Sequence, residues 1–127
     1  MKYLTVREAL DLAELACAGQ QVGVRDLGLL GSALHRPQQQ MFGVVAYPDL
    51  FEKAAALLQS ITANHPLVDG NKRTAWMCTA VFLDVNGVDM ADVDQDRAYD
   101  LVIGIAAGKT EDVSVIAAAL RELQRAV

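Results

Sequence analysis

The chain has 127 residues, 53% of them hydrophobic, and a formal net charge of −5. That length suits one domain with its own core, and the apolar content excludes a disordered tail protein. Acids and bases are interspersed and the only adjacent cations are Lys72-Arg73, so the clustered basic surface of a nucleic-acid binder is missing.

Ala, Leu and Val supply most of the apolar content and prolines are confined to positions 37, 48 and 66, a composition that favours helix. Cys17 and Cys78 both fall in apolar-patterned segments and read as buried, reduced thiols. The opening stretch "MKYLTVREALDLAEL" is broken by Arg7 and Glu8 and does not have the pattern of a signal peptide. The longest apolar runs, "AVFL" and "LVIGIAAG", fall short of the roughly 20 residues of a membrane span. The expected location is the cytoplasm.

In chain order, Thr5-Val6-Arg7-Glu8 has capping-box spacing, and Leu10, Ala13, Leu15 and Ala16 continue a helical rhythm. A first helix is expected from about Val6 to Ala18. "GQQVGVRD" reads as a loop, after which Asp26 caps a second helix that Pro37 terminates. "PQQQMFGVVAYPD" has no helical period and reads as an extended flap or hairpin, with Pro48 in the first turn of the next helix. A third helix runs from about Asp49 to Asn64. Its Leu50, Ala54, Leu57, Leu58 and Ile61 share one face. His65 lies four residues beyond Ile61, so its ring is expected to point inward from the helix end.

After "HPLVDGN" a fourth helix is expected through "KRTAWMCTAVFLDVN" to Gly87, a natural stop. Ala75, Trp76, Cys78, Ala80, Val81, Phe82 and Leu83 cover nearly all its sides, which predicts a central position in the domain. Helices from about Gln95 to Ala107 and Glu111 to Arg125 complete the set. The expected fold is all-α, with about six helices in one compact bundle and a short extended flap before the third.

Chemistry concentrates in "HPLVDGNKRTAW". A helix start presents free N–H groups and partial positive charge, and Gly70 lets a ligand approach the backbone. Lys72 and Arg73 diverge by about 100° around that start, so each would grip a different anion oxygen. Cations there cost a few tenths of a kcal/mol unless an anion compensates them. Asp69 could be that anion, by capping the helix or pairing with Arg73; otherwise a bound phosphate is. Asp69 could instead hold Mg²⁺ together with phosphate oxygens and water. His65 is either a satisfied core residue or a base, imidazole being the side chain that exchanges protons near neutral pH. His35, at a helix end beside Arg36 and Pro37, reads as a solvated helix-terminal charge.

The run His65-Pro66-Leu67-Val68-Asp69-Gly70-Asn71-Lys72-Arg73 resembles the signature of the Fic/Doc superfamily, H-P-F-x-[DE]-G-N-G-R-x-x-R, in the Doc (death-on-curing) version with N-K-R. "YPDLFEKAAALLQSITANHPLVDGNKRTA", "VFLDVNGV" and "GVRDLGLLGSAL" resemble Doc-type toxins too. The resemblance implies an all-α Fic fold with the motif loop between two core helices. It implies His65 as the general base and Asp69 as the Mg²⁺ ligand. It also implies that Gly70, Asn71, Lys72 and Arg73 hold phosphate, and that "HRPQQQMFGVVAY" is a target-docking flap. Lys72 stands where nucleotidyltransferases of the superfamily carry Gly, and Trp76 where they carry a second Arg. Both departures favour transfer of the ATP γ-phosphoryl group over transfer of AMP. Leu67 replaces the usual Phe, and Met77 stands where some Doc proteins have Asn. The self-inhibitory string [S/T]-x-x-x-E-[G/N] does not occur, which implies an antitoxin acting in trans. The implied activity is an ATP- and Mg²⁺-dependent kinase acting on a threonine of elongation factor Tu. The alternatives are nucleotidyl transfer or a non-catalytic partner-binding member of the fold.

Overall fold

The computed structural model describes residues 1–127. Six helices follow one another: α1 Val6–Ala16, α2 Leu27–His35, α3 Leu50–Asn64, α4 Asn71–Val85, α5 Gln95–Ala106 and α6 Val113–Arg125. A 3₁₀ turn, Arg36–Gln38, and a two-stranded hairpin, β1 Gln40–Met41 with β2 Val44–Val45, separate α2 from α3. The architecture is the expected one, flap included.

Local chemistry sets most helix starts. Thr5 and Glu8 close a reciprocal capping box, Glu8 N–H to Thr5 Oγ1 at 3.1 Å and Thr5 N–H to Glu8 Oε1 at 3.0 Å. Asp26, Asp49, Asp94 and Asp112 each accept first-turn amides of α2, α3, α5 and α6, contacts worth about 1 kcal/mol apiece. α1 stops two residues earlier than expected because Ala18 and Gly19 turn left-handed, at φ 58° and 79°. Pro37 does not follow a finished helix but lies buried inside the 3₁₀ turn, where no i−4 hydrogen bond is at stake. Pro48 stays outside α3, because Asp49 takes the cap position.

The centre of the molecule is α3, not α4. Lys53 to Leu58 are all buried, with Ser60, Ile61 and Thr62, and α3 packs against α2, the 3₁₀ turn, α4, α5 and α6. α4 buries one stripe, Thr74, Ala75, Cys78, Thr79, Phe82 and Leu83, while Trp76, Met77, Ala80 and Val81 are only half-buried. An apolar residue on every side of α4 therefore does not mean a core on every side; part of it lines an open hollow. Cys78 is core, and burial pushes its thiol up to about 12. Cys17 is not; it sits half-buried at the end of α1. No helix is long and apolar enough to cross a membrane.

Candidate functional site

The site lies where α3 hands over to α4. Pro66 cannot continue a helix, and His65 ends α3 in the left-handed region, at φ 49° and ψ 57°. That turn takes His65 out of the phase set by Ile61. Its side chain is exposed, contrary to the expected inward orientation.

The loop that follows is tied from three sides. Leu67 is 1% exposed and plugs the core. The Asn71 carboxamide closes a ring with Leu67, its Oδ1 accepting Leu67 N–H at 2.9 Å and its Nδ2 donating to Leu67 O at 3.0 Å. Residues 23–26 add a short antiparallel bridge: Arg25 N–H and Asp26 N–H donate to Pro66 O, at 2.8 and 3.0 Å, and Val68 N–H donates to Gly23 O at 2.9 Å. Beside that bridge, the Arg25 side chain donates to the carbonyls of His65 and Asn64.

Asp69 neither caps α4 nor pairs with Arg73. Its Oδ1 accepts the Gly70 N–H at 2.8 Å. Gly70, at φ 77°, occupies the cap position with no side chain to offer, and the first turn of α4 carries no acid. The amides of Asn71, Lys72 and Arg73 precede the first internal hydrogen bond, Thr74 N–H to Gly70 O at 2.9 Å. Lys72 and Arg73 are exposed, and the chain's two ion pairs, Arg7 with Asp11 and Arg121 with Asp49, lie elsewhere. α4 is the only α-helix whose start has no side-chain cap.

His65, Asp69, Gly70, Asn71, Lys72 and Arg73, with Val68, line one cavity of about 290 Å³. Asn71 contributes by shaping the loop, since both ends of its amide are bonded to Leu67. No group of three or more His, Cys, Asp or Glu side chains is placed to hold a metal. Asp69 alone suits a hard divalent ion only if phosphate oxygens and water complete the shell, the common arrangement for Mg²⁺.

Two neighbours of the cavity escaped the sequence reading. Arg25 lies forty positions from His65, in what reads as a plain loop, and nothing in its local pattern signals the contact. Cys17 lines a second hollow of about 260 Å³ with Asp69 and Arg73. A larger one, about 510 Å³, runs beside α4 from Lys72 and Arg73 to Trp76, Met77 and Tyr99.

A mostly helical frame that carries histidine, carboxylate and a cationic helix start on one loop is the arrangement of a Fic-type protein. Residues 3–83 match the model of the Fic/DOC family, and the chain belongs to that family. It is 50% identical to "Toxin Doc" of Mycolicibacterium smegmatis, over 94% of this chain and 91% of that protein. It is 34% identical to "Protein kinase doc" of Escherichia phage P1, over 97% and 96% respectively.

Proposed function

We propose that the chain is a Doc-type toxin. It acts as a cytoplasmic protein kinase that uses ATP and Mg²⁺ to phosphorylate a threonine of elongation factor Tu and so arrests translation. The observation that carries this reading is the single cavity joining an exposed imidazole, a carboxylate outside any ion pair and an uncapped helix start with two unpaired cations. The names of its two relatives, a toxin and a protein kinase, support it.

Phosphoryl transfer depends on positioning and charge neutralisation more than on covalent chemistry from the protein. His65 would take the proton of the target hydroxyl as its oxygen bonds the γ-phosphorus and the bond to the departing ADP oxygen breaks. Lys72, Arg73 and the first amides of α4 would hold the phosphate oxygens. Asp69 would hold Mg²⁺, which when bound offsets polyphosphate charge. The long Lys72 side chain would compete with a phosphate placed as nucleotidyl transfer requires, which favours phosphoryl transfer.

Inhibition would come from an antitoxin in trans. The hollow lined by Ala16, Trp76, Met77, Ala98, Tyr99 and Val102, with Lys72 and Arg73 at its end, suits an amphipathic segment that folds on binding.

Incubation with elongation factor Tu and ATP labelled separately at the α and γ phosphates tests the reaction. Label from the γ position on the target is expected, and lost in His65→Ala. Label from the α position would mean nucleotidyl transfer.

A further inference from the structure

Arg25 Nε donates to the His65 carbonyl at 2.6 Å, and its Nη2 donates to the Asn64 carbonyl at 2.8 Å. These two carbonyls belong to the peptide planes on either side of the His65 Cα. Fixing both planes fixes φ and ψ of His65, and with them the direction in which its Cβ leaves the chain. The need is real: His65 is held at φ 49°, a conformation that usually calls for Gly or Asn at a helix end. The last carbonyls of α3 also lack helical partners. A planar guanidinium fork matches this pair of acceptors as a single ammonium cannot. The Arg25 side chain is exposed and has no carboxylate partner, so these two carbonyls are its only hydrogen-bond partners.

We propose that Arg25 is a positioning residue that holds the His65 imidazole in its working direction through the backbone alone. The proposal rests on His65 acting as the base in the reaction proposed above. It is separable from the attachment of the loop, because the segment stays bonded by its own main chain, Arg25 N–H and Asp26 N–H to Pro66 O and Val68 N–H to Gly23 O. Truncating the side chain leaves those bonds in place.

The test compares the full-length wild type, Arg25→Met, Arg25→Lys, His65→Ala and the Arg25→Met/His65→Ala double variant, with elongation factor Tu, ATP and Mg²⁺. In Arg25→Met, kcat is expected to fall by about ten- to a hundredfold, the scale of a misplaced catalytic group. KM for ATP should stay within about twofold, since the phosphate-holding residues are untouched. Arg25→Lys should recover part of kcat, because an ammonium reaches one carbonyl but not both. In the His65→Ala background, Arg25→Met should add nothing, whereas a merely structural role would lower the residual rate again. NMR of the His65 ring should show one environment in the wild type and averaging in Arg25→Met. Unchanged kcat in Arg25→Met, or an additive effect in the double variant, overturns the proposal while leaving the kinase reading standing. A wild type that transfers no label overturns the kinase reading and, with it, the role given to Arg25.

Discussion

The sulfur of Cys17 lies 2.6 Å from the point where a side chain on Gly70 would begin. The end of α1 and the start of α4 therefore meet beside the hollow that Cys17 lines with Asp69 and Arg73, and a Cβ on residue 70 would push the sulfur aside. Gly70 also needs its φ of 77°. Gly70→Ala is expected to destabilise the protein by about 2 kcal/mol, from positive-φ strain and overpacking together, and to abolish ATP binding. Adding Cys17→Ala removes the contact but not the strain. The double variant should regain roughly half the stability by chemical denaturation; full recovery would show that φ at residue 70 does not matter.

Lys72 and Arg73 work against the helix they sit on. With no acid in the first turn of α4 and no partner for either cation, Lys72→Glu should raise stability by about 0.5 kcal/mol. The same change should weaken ATP binding in calorimetry by tenfold or more, about 1.4 kcal/mol. Arg73→Glu should do likewise. Stability and binding moving in opposite directions would mark the two cations as placed for a ligand, since a structural role predicts that both fall together.

The legible parts of this protein are those set by neighbours in sequence. Thr5 with Glu8, and Asp26 and Asp49 ahead of apolar stripes, announce α1, α2 and α3 because a cap is a contact over three residues. The motif from His65 to Arg73 was equally plain, being one continuous stretch. The direction of His65 was not. Extending the helical phase from Ile61 assumes that the helix continues, and the left-handed turn at His65 breaks that assumption. Nor could α4 be told from α3 as the central helix, since periodicity reports which residues are apolar, not which neighbours arrive to cover them. Arg25 was illegible for the same reason: its partners lie 39 and 40 positions away.

The two thiols should differ sharply. Cys78 is buried, and loss of solvation pushes its thiol from an ordinary value of 9.0 to about 12. A thiol-reactive chromophore should titrate one cysteine, Cys17, in the native protein and two after denaturation. Because the folded state keeps the Cys78 proton while the unfolded state gives it up above pH 9, stability should decline from about pH 9 toward 12. Cys78→Ala should flatten that part of the stability profile. A thiol count of two in the folded protein at neutral pH would contradict the burial.

Arg36 anchors the hairpin to α3. Its guanidinium donates to Gln59 Oε1, to Ser60 Oγ at 2.7 Å and to the Tyr47 hydroxyl at 3.2 Å. Buried Lys53 holds the same root through the Pro37 carbonyl at 3.3 Å. Arg36→Met should leave the α3 core intact but loosen residues 39–47. Amide hydrogen exchange at Ala46, bonded to Gln39 O at 2.9 Å, should accelerate by about tenfold, the equivalent of one lost hydrogen bond. Equal acceleration in α3 would mean that Arg36 supports the whole fold.

At the hairpin tip Phe42 and Gly43 both have positive φ, 52° and 78°, between the paired Met41 and Val44. Two-residue hairpin loops with this backbone favour Asn-Gly, yet the first position carries a phenylalanine that is 99% exposed. It packs on nothing, so Phe42→Asn costs no burial and should stabilise the hairpin by about 0.5–1 kcal/mol. Met41, Val44 and Val45 are exposed beside it, which makes the tip an exposed apolar element. If that tip contacts the protein substrate, Phe42→Asn should raise KM for elongation factor Tu several-fold with KM for ATP unchanged. A more stable variant with an unaltered KM for the protein would show that the strained phenylalanine serves no docking role.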